Sequence, residues 1–516
     1  MHFELLFLLL FSVATAVALV ARWLKLPYTV ALVLAGLVLE SGHLFAVPRL
    51  TKELLYAVFL PGLLFEAAFH IDFGRFWRNR WTINALAIPG LLVAVGATAG
   101  LLVLGLRLTP GTRFHWPEAL LFGALIAATD PIAVIATFKS LGAPRRLAML
   151  VEGESLLNDG TAVVVFTLVL GVLGGHAQSP GAIALEFVKV VGVGALIGGG
   201  VGLAASQVTM RVDEPMIEIT LTTIAAYGSF AIAEHLHFSG VIAVVVAGMV
   251  CGNYGAKHGM SPSTKLAVES FWEYVAFALN SAVFLFIGFQ VRIGALAHAW
   301  RPILVAFAAV TLARVVVVYG VTIALGRTSE KTPWSWRAVM AWGGLRGGLS
   351  MVLALSLPSS IESREFLINL TFGVVLLSIV VQGLTMAPLL RRLGIAGHTA
   401  AEQLAFEEHR AVLRATTTVL GRLEEMVRDG QLTETSASEV REHYEQRRVE
   451  ARSALAGLHL AQKVIEDEEV RAATRQLILL ERAAVNEAHE RGLMGRAAYE
   501  RLIEDVDARL LGEEDD

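Results

Sequence analysis

Apolar runs of about twenty residues recur along the first three quarters of the chain, separated by short polar stretches. A helix of this length spans the roughly 30 Å hydrocarbon core of a bilayer. The pattern predicts thirteen membrane-spanning helices, numbered here as segments 1 to 13. Their predicted bounds are residues 3–21, 28–46, 53–71, 83–106, 117–139, 145–174, 182–207, 215–234, 238–254, 266–290, 300–325, 335–357 and 365–390.

The character of the chain changes near Leu393. Residues 399–516 are rich in Ala, Glu, Arg and Leu, and their pattern predicts amphipathic helices divided near Gly430–Ser436 and Gly492–Gly495. We therefore expect an all-α polytopic membrane protein with two domains, a transmembrane domain at residues 1–392 and a cytoplasmic helical tail at 393–516. The tail sequence holds no Gly-rich nucleotide loop and no metal-ligand cluster, so we expect it to pack on the membrane domain or on a partner tail.

Composition agrees with this prediction, because 55% of the residues are hydrophobic and only 17% are charged, against about 25% charged in soluble domains. Lys and Arg are about twice as frequent in loops after odd-numbered segments as in the other loops, and basic loops face the cytoplasm. The N-terminus is then outside the cell membrane and the tail inside. The first residues carry Glu4 and no Lys or Arg, which favours a membrane helix over a cleaved signal peptide.

Segment 6 carries a polar stretch at the head of its apolar run, with Glu152, Glu154, Ser155, Asn158 and Asp159. Helical spacing places these side chains on neighbouring faces, with Ser155 one turn before Asp159. A carboxylate inside a membrane segment costs about 2.5–3.5 kcal/mol on insertion scales, so such residues normally mark an ion or proton pathway. The stretch predicts an ion site.

Two further segments are interrupted near their middle. In segment 5, Asp130 precedes Pro131, which has no backbone N–H, so we expect a break and a restarted half-helix. In segment 12, four glycines surround Arg346 within Gly343–Gly348, which makes a weak helix that can unwind. The two segments are seven apart and run in opposite directions. Broken helices in corresponding places of inverted halves, segments 1–6 and 8–13, predict a secondary transporter with its site at the midplane.

Arginines inside membrane segments need acidic or carbonyl partners. Arg314 lies midway along segment 11, and we expect Glu154 as its partner, with Asp130 and Arg346 as a second pair. Glu66 in segment 3 is another intramembrane carboxylate. Segment 10 has polar positions that suit either a funnel wall or an ordinary interhelical face: Glu269, Glu273, Asn280 and Gln290.

Several of these motifs together resemble the monovalent cation:proton antiporters, in particular the branch of bacterial NhaP-type exchangers and animal sodium/hydrogen exchangers. The resemblance covers nearly all of residues 1–392. It is carried by Gly153–Asp159, Ala128–Pro131 and Gly344–Gly347, with further similarity in Leu60–Glu66 and Phe284–Gln290. Gly62 departs from the family pattern, which has a second proline there, and this leaves the local shape of segment 3 open.

The resemblance implies a homodimer of thirteen-helix subunits, each with a rigid dimerisation domain and a moving core that holds the crossed broken helices. It implies that Asp159 binds a cation or a proton in turn. Asn158, Ser155 and the backbone at Thr129 would help to hold the ion, so that Asp159, Ser155 and Thr129 are the expected Na⁺ ligands. Glu66 would be a further contact.

The same resemblance implies structural roles for the remaining polar residues of the core. Asp130 and Arg346 would compensate the dipoles of the half-helices, and the pair of Glu154 with Arg314 would be structural. Beyond the bilayer and a second copy of the chain we expect no partner, and in particular no nucleic acid. No cofactor is expected apart from the transported Na⁺ or Li⁺ and H⁺.

The predicted function is exchange of Na⁺ or Li⁺ for H⁺ by alternating access, not an enzymatic reaction. Because Asn158 rather than a second aspartate precedes Asp159, we predict electroneutral exchange of one Na⁺ for one H⁺. K⁺/H⁺ exchange on the same fold is the nearest alternative, since no residue named above sets ion size. A non-transporting sensor, a channel and an intramembrane aspartyl protease are further alternatives. The protease is disfavoured because Asp159 lacks a Gly-x-Gly-Asp context.

Overall fold

The computed structural model describes residues 3–24, 27–41, 55–107, 114–174, 179–290, 293–327, 331–395, 400–428 and 432–457, and scattered residues between 477 and 506. Within these ranges every regular element is helical and there is no β-strand. The chain divides into two compact units, Met1–Gly397 and His398–Asp516.

The described part of the first unit contains thirteen helical spans, counting each broken helix once. They are α1 (Phe3–Leu24), α2 (Tyr28–Ser41), α3 (Tyr56–His70), α4 (Arg80–Arg107), α5a (Trp116–Leu125), α5b (Ile132–Leu141), α6 (Arg145–Leu173), α7 (Pro180–Thr209), α8 (Pro215–His235), α9 (Gly240–His258), α10 (Pro262–Gln290), α11 (Trp300–Ala324), α12a (Trp334–Trp342), α12b (Gly348–Leu355) and α13 (Arg364–Arg392). Short helices Phe73–Arg78 and Ile293–His298 lie in two of the connections.

The all-helical fold predicted from the hydrophobic pattern is confirmed, and each predicted segment coincides with one helical span. Among the described residues, eight helices are long and apolar enough to cross a membrane, and several shorter apolar helices accompany them. The predicted end of segment 2 at residue 46 lies outside the described residues.

The short connection between α8 and α9 contains a left-handed residue. His237 has φ 61°, and its N–H donates to the carbonyl of Glu234 at 3.0 Å while Phe238 N–H donates to Ala233 at 2.8 Å. These two bonds satisfy the last carbonyls of α8 in a Schellman arrangement. A break of only a few residues is therefore enough to reverse the chain.

In the part of the chain that the structure describes, four π-helical turns lie within or at the start of otherwise regular helices. They lie at Leu55–Phe59, Leu86–Gly90, Cys251–Gly255 and Ser378–Gln382. The second contains Pro89, which cannot donate a backbone hydrogen bond. Such turns redirect side chains within a continuous helix, and the one in α13 places Ser378 and Gln382 beside the second helix break.

Packing sorts the helices into two groups. In the first group α2 packs on α10, α3 packs on α9, and α7 packs on both α8 and α9. In the second group α4 packs on α11 and α5a, α6 packs on α5a, and α13 packs on α11 and α12b. Contacts between the groups are fewer. The α2–α10 contact is close because Gly36 faces Gly288, where a Cβ on Gly288 would lie 2.7 Å from the Gly36 Cα.

The second unit contains α14 (Ala400–Arg428) and α15 (Glu434–Gly457), which pack against each other. The gap between them corresponds to the division predicted near Gly430–Ser436. The second predicted division, near Gly492–Gly495, lies largely outside the described residues.

Candidate functional site

The two broken helices meet at their breaks. Residues 126–131 separate α5a from α5b, and residues 343–347 separate α12a from α12b. The backbone N–H of Asp130 donates to the carbonyl of Leu345 at 2.7 Å. This bond joins the two non-helical stretches, so four half-helix ends converge at one place in the first unit.

Asp130 lies at the amino ends of two of these half-helices. Its Oδ1 accepts a hydrogen bond from the backbone N–H of Ile132 at 3.1 Å, at the start of α5b. Its other oxygen lies against the backbone of Gly347, where a Cβ would collide with it, directly before α12b. Helix amino ends carry partial positive charge, so a carboxylate here is electrostatically favoured.

Arg346 lies at the carboxyl end of α5a. Its Nη1 donates to the carbonyls of Ala127 at 2.6 Å and Ala128 at 3.2 Å, which have lost their helical partners at the break. The ion pair expected between Asp130 and Arg346 is not formed. Each side chain is instead bound at a helix end of opposite polarity, the carboxylate by the N–H of Ile132 and the guanidinium by the carbonyls of Ala127 and Ala128.

Glu154 and Arg314 form the buried pair expected from the sequence. The Arg314 Nη2 donates to Glu154 Oε2 at 2.6 Å, and Nη1 contacts Oε1. The two residues are 1% and 7% exposed, and Arg314 Nη2 also donates to the carbonyl of Met340 at 3.2 Å. The pair thereby connects α6, α11 and α12a.

The break of α5 is fastened to α6 at Thr129. Ser155 Oγ donates to the Thr129 carbonyl, and Asn158 Nδ2 donates to Thr129 Oγ1 at 3.2 Å. The Oδ1 atoms of Asn158 and Asp159 are buried and have no hydrogen-bond partner among the described residues. Buried oxygens of this kind normally have a partner, and carboxylate, amide, hydroxyl and carbonyl oxygens together are the ligand set preferred by hard cations.

A cavity of about 490 Å³ lies between the two helix groups. One wall is built by α3 and α10, and the other by α5, α6 and α12b. The deep part is formed by Asp159, Ser155, Thr129, Asp130 and Gly347. Asn158 does not line the cavity. A cavity at the interface of two packed groups changes shape when one group moves against the other.

Charged side chains line the same cavity further from the breaks. Glu66 and His70 lie on α3, with Glu66 Oε1 3.3 Å from His70 Nδ1. Lys139 on α5b, Glu152 on α6 and Glu273 on α10 complete the set. Of the five, Glu66 was predicted as an ion contact, Glu152 belongs to the stretch that predicted an ion site, and Glu273 was a candidate for a funnel wall.

The position of Glu152 on the same side of α6 as Asp159 can be read from the sequence. Glu152 precedes Asp159 by seven residues, which is two helical turns, so the two carboxylates face the same side of α6. Lys139 gave no such signal, because it lies on a different helix and approaches the cavity only through the packing of α5b.

The charged residues mark one end of the unit. His70 and Lys139 lie near the carboxyl ends of α3 and α5b, and Glu152 lies in the first third of α6. These positions are next to the connections at residues 71–79 and 142–144, which belong to the loops predicted to be cytoplasmic. The cavity therefore extends from the crossing of the breaks toward that end.

Comparison with known proteins was made on the sequence and on the fold. The family model described as sodium/hydrogen exchanger, transmembrane, matches residues 8–392. The Na⁺/H⁺ antiporter ApNhaP of Aphanothece halophytica is 42% identical over 400 residues, covering 76% of this chain and 75% of that protein. The Na⁺/H⁺ antiporter NhaS2 of Synechocystis sp. is 33% identical over 525 residues, covering 99% of this chain and 93% of that protein. This second match extends through the tail.

A solved structure shares the fold. The sodium proton antiporter MjNhaP1 of Methanocaldococcus jannaschii superimposes with a TM-score of 0.61 at 20% identity, over 76% of this chain and 99% of that one.

Proposed function

Because this chain belongs to the sodium/hydrogen exchanger family, we propose that it exchanges Na⁺ or Li⁺ for H⁺ across a membrane. The observation that carries the proposal is the position of Asp159. This carboxylate lines the cavity beside the crossed breaks, and its buried Oδ1 has no hydrogen-bond partner among the described residues.

The exchange follows because a cation and a proton cannot occupy the Asp159 carboxylate at the same time. Ionised Asp159 binds a partly dehydrated cation, and the oxygens of Ser155 and Thr129 supply neutral ligands beside it. Ser155 donates its proton to Thr129, so its lone pairs remain available to the cation. Protonation of Asp159 removes the negative charge and releases the ion. The bare carboxylate is costly in a dehydrated core, so only the loaded forms cross.

Alternating access in this proposal is a movement of one helix group against the other. The walls of the cavity belong to different groups, since α3 and α10 face α5, α6 and α12b. Sliding of the second group along the first closes the cavity at its charged end and opens Asp159 to the opposite side. This is the two-group form of domain motion around a fixed site.

The structural roles of the remaining core residues support that movement as one body. Asp130 and Arg346 neutralise the ends of the half-helices, which keeps the breaks stable without closing them into continuous helix. The pair of Glu154 with Arg314 holds α6 to α11. Asp159 and its ligands therefore move together.

The stoichiometry of the exchange and the entry of cations depend on residues near Asp159 and along the cavity. Asn158 is neutral, so one bound Na⁺ and one bound H⁺ leave the same net charge, and the exchange is electroneutral. Glu66, Glu152 and Glu273 raise the local cation concentration along the wall of the cavity.

In the cell the protein is proposed to be a homodimer in the cell membrane. Its N-terminus lies outside and its tail in the cytoplasm, as the Lys and Arg content of the loops indicates. With this orientation the cavity opens to the cytoplasm.

The proposal is tested with purified protein in liposomes that carry an imposed pH gradient and a fluorescent pH reporter. Na⁺ and Li⁺ should each collapse the gradient, K⁺ should not, and clamping the membrane potential with valinomycin and K⁺ should leave the Na⁺ rate unchanged. Asp159→Asn should reduce the rate about 100-fold or more with an unchanged melting temperature. Asp213→Asn, a carboxylate loss outside the cavity, serves as the matched control and should retain the rate.

Three results would contradict it. A response to K⁺ that exceeds the response to Na⁺ would make the protein a K⁺/H⁺ exchanger. Sodium movement without proton counter-movement would make it a channel. Full exchange by the Asp159→Asn variant would remove Asp159 from the mechanism.

A further inference from the structure

A second and much smaller cavity lies beside the break of α12. Its volume is about 10 Å³, and its lining shares no residue with the large cavity. Five polar side chains line it, from three different helical spans: Thr311 and Arg314 on α11, Arg346 in the break of α12, and Ser378 and Gln382 on α13.

Ser378 Oγ is hydrogen-bonded to the backbone, but each of the other four residues has one buried polar atom without a hydrogen-bond partner among the described residues. The atoms are Thr311 Oγ1, Arg314 Nε, Arg346 Nε and Gln382 Oε1. A buried polar group without a partner destabilises the folded protein, and native proteins rarely leave several together. Four such atoms around one cavity indicate a shared partner.

We propose that this cavity binds one ordered water molecule. The water accepts hydrogen bonds from the Nε–H groups of Arg314 and Arg346. It donates its two hydrogens to the side-chain oxygens of Thr311 and Gln382. Two donors and two acceptors are the full complement of one water, and buried waters typically make about three such bonds.

Two guanidinium groups could also bind a halide ion, but the size of the cavity favours water. A space of about 10 Å³ for the centre of a water-sized sphere corresponds to about one water. A halide ion is larger than water. It is also an acceptor only, so it cannot donate to the Thr311 and Gln382 oxygens.

The water gives Arg346 a second anchor. The Nη1 of Arg346 holds the carbonyls of Ala127 and Ala128 at the break of α5, and its backbone N–H donates to Ser378 Oγ at 2.9 Å. The water connects its Nε to Arg314, whose other nitrogens hold Glu154. The water and these hydrogen bonds therefore link the crossing of the two breaks to the Glu154–Arg314 pair and to the π-helical turn of α13.

The direct test is a cryo-EM structure of the full chain in nanodiscs at about 2.2 Å or better, in NaCl and in NaBr. We expect a density peak about 2.7–3.2 Å from all four atoms, of equal strength in the two salts. A missing peak, where other buried waters are visible at the same local resolution, would overturn the proposal. A peak that strengthens in bromide would overturn it in favour of an anion.

Stability provides an independent test through a double-mutant cycle. Thr311→Val and Gln382→Met keep the side-chain volume and each remove one acceptor. Each should lower the melting temperature by about 2–4 °C. The melting temperature of the double variant should be only slightly lower than that of the less stable single variant, because either change removes the same water.

The matched control is Thr371→Val. Thr371 on α13 also has a buried Oγ1 with no partner among the described residues, but it does not line the small cavity. Its effect on the melting temperature should add to that of Gln382→Met. If Thr311→Val and Gln382→Met are also additive, the two side chains share no water and the proposal is wrong.

Discussion

The hydroxyl of Ser155 donates to the carbonyl of Thr129, so a regular turn of α6 is fastened to the non-helical break of α5. Thr129 and Ser155 line the same cavity as the carboxylate of Asp159, which follows Ser155 by one turn. The hydrogen bond thus fixes the break of α5 to the helix that carries Asp159.

The first prediction concerns this contact. Ser155→Ala removes both the hydrogen bond to Thr129 and one proposed cation ligand, so the apparent KM for Na⁺ should rise about 5–20-fold with a smaller change in maximal rate. Thr129→Val, which keeps the backbone carbonyl and loses only Oγ1, should raise KM less. Initial rates of Na⁺-driven pH change in proteoliposomes measure both. Equal KM values for wild type and Ser155→Ala would exclude Ser155 from the ion site.

The pH dependence of transport follows from competition at Asp159. When proton and Na⁺ share one carboxylate, lowering the pH on the side of Na⁺ binding fills the site with protons. The apparent KM for Na⁺ should rise, approaching tenfold per pH unit in the acidic limit, while saturating Na⁺ restores the rate. Rates measured over a grid of pH and Na⁺ concentration decide this. A maximal rate that falls with pH at constant KM would mean that protons act elsewhere.

Charges along the cavity should change cation entry with opposite signs. Glu152 is about 10 Å along α6 from Asp159, from seven residues at 1.5 Å each. Glu152→Gln removes a negative charge and should raise the apparent KM for Na⁺ about 2–5-fold, and Lys139→Gln should lower it by a similar factor. The maximal rates should stay within about twofold.

Ionic strength distinguishes this electrostatic effect from a change in shape. Adding about 0.3 M choline chloride shortens the Debye length and should bring the two KM values closer to the wild-type value. If both substitutions move KM in the same direction, or if salt does not alter the difference, the charges are not what governs entry.

Breaking the buried ion pair should be far more damaging than replacing it. Glu154→Gln leaves the guanidinium of Arg314 buried without its carboxylate, which typically costs about 3–5 kcal/mol. We expect a large fall in melting temperature in detergent, or loss of folded protein. The double variant Glu154→Gln/Arg314→Met removes both charges and should recover part of that loss. A double variant less stable than Glu154→Gln would show that Arg314 stabilises the fold through Met340 rather than through Glu154.

Local chemistry along the chain was enough to predict most of the fold. The lengths of the apolar runs gave thirteen spans, because a bilayer of fixed thickness demands helices of similar length. Pro131 and the glycines around Arg346 predicted the two breaks. Proline lacks a backbone N–H and glycine has a more flexible backbone, and both effects weaken a helix within one turn of the residue. The prediction of an ion site in segment 6 is also local, because it rests on the cost of placing the Asp159 carboxylate in an apolar segment.

The tertiary structure decided which groups meet. Arg346 binds the carbonyls of Ala127 and Ala128 rather than Asp130, and Lys139 and Glu273 reach one cavity from different helices. These relationships depend on distances between residues far apart in sequence, and helix packing sets those distances without leaving a local pattern. Sequence alone therefore located the ionisable groups and predicted the Glu154–Arg314 pair, whereas the partners of Asp130 and Arg346 and the charged lining of the cavity follow only from the packing of the helices.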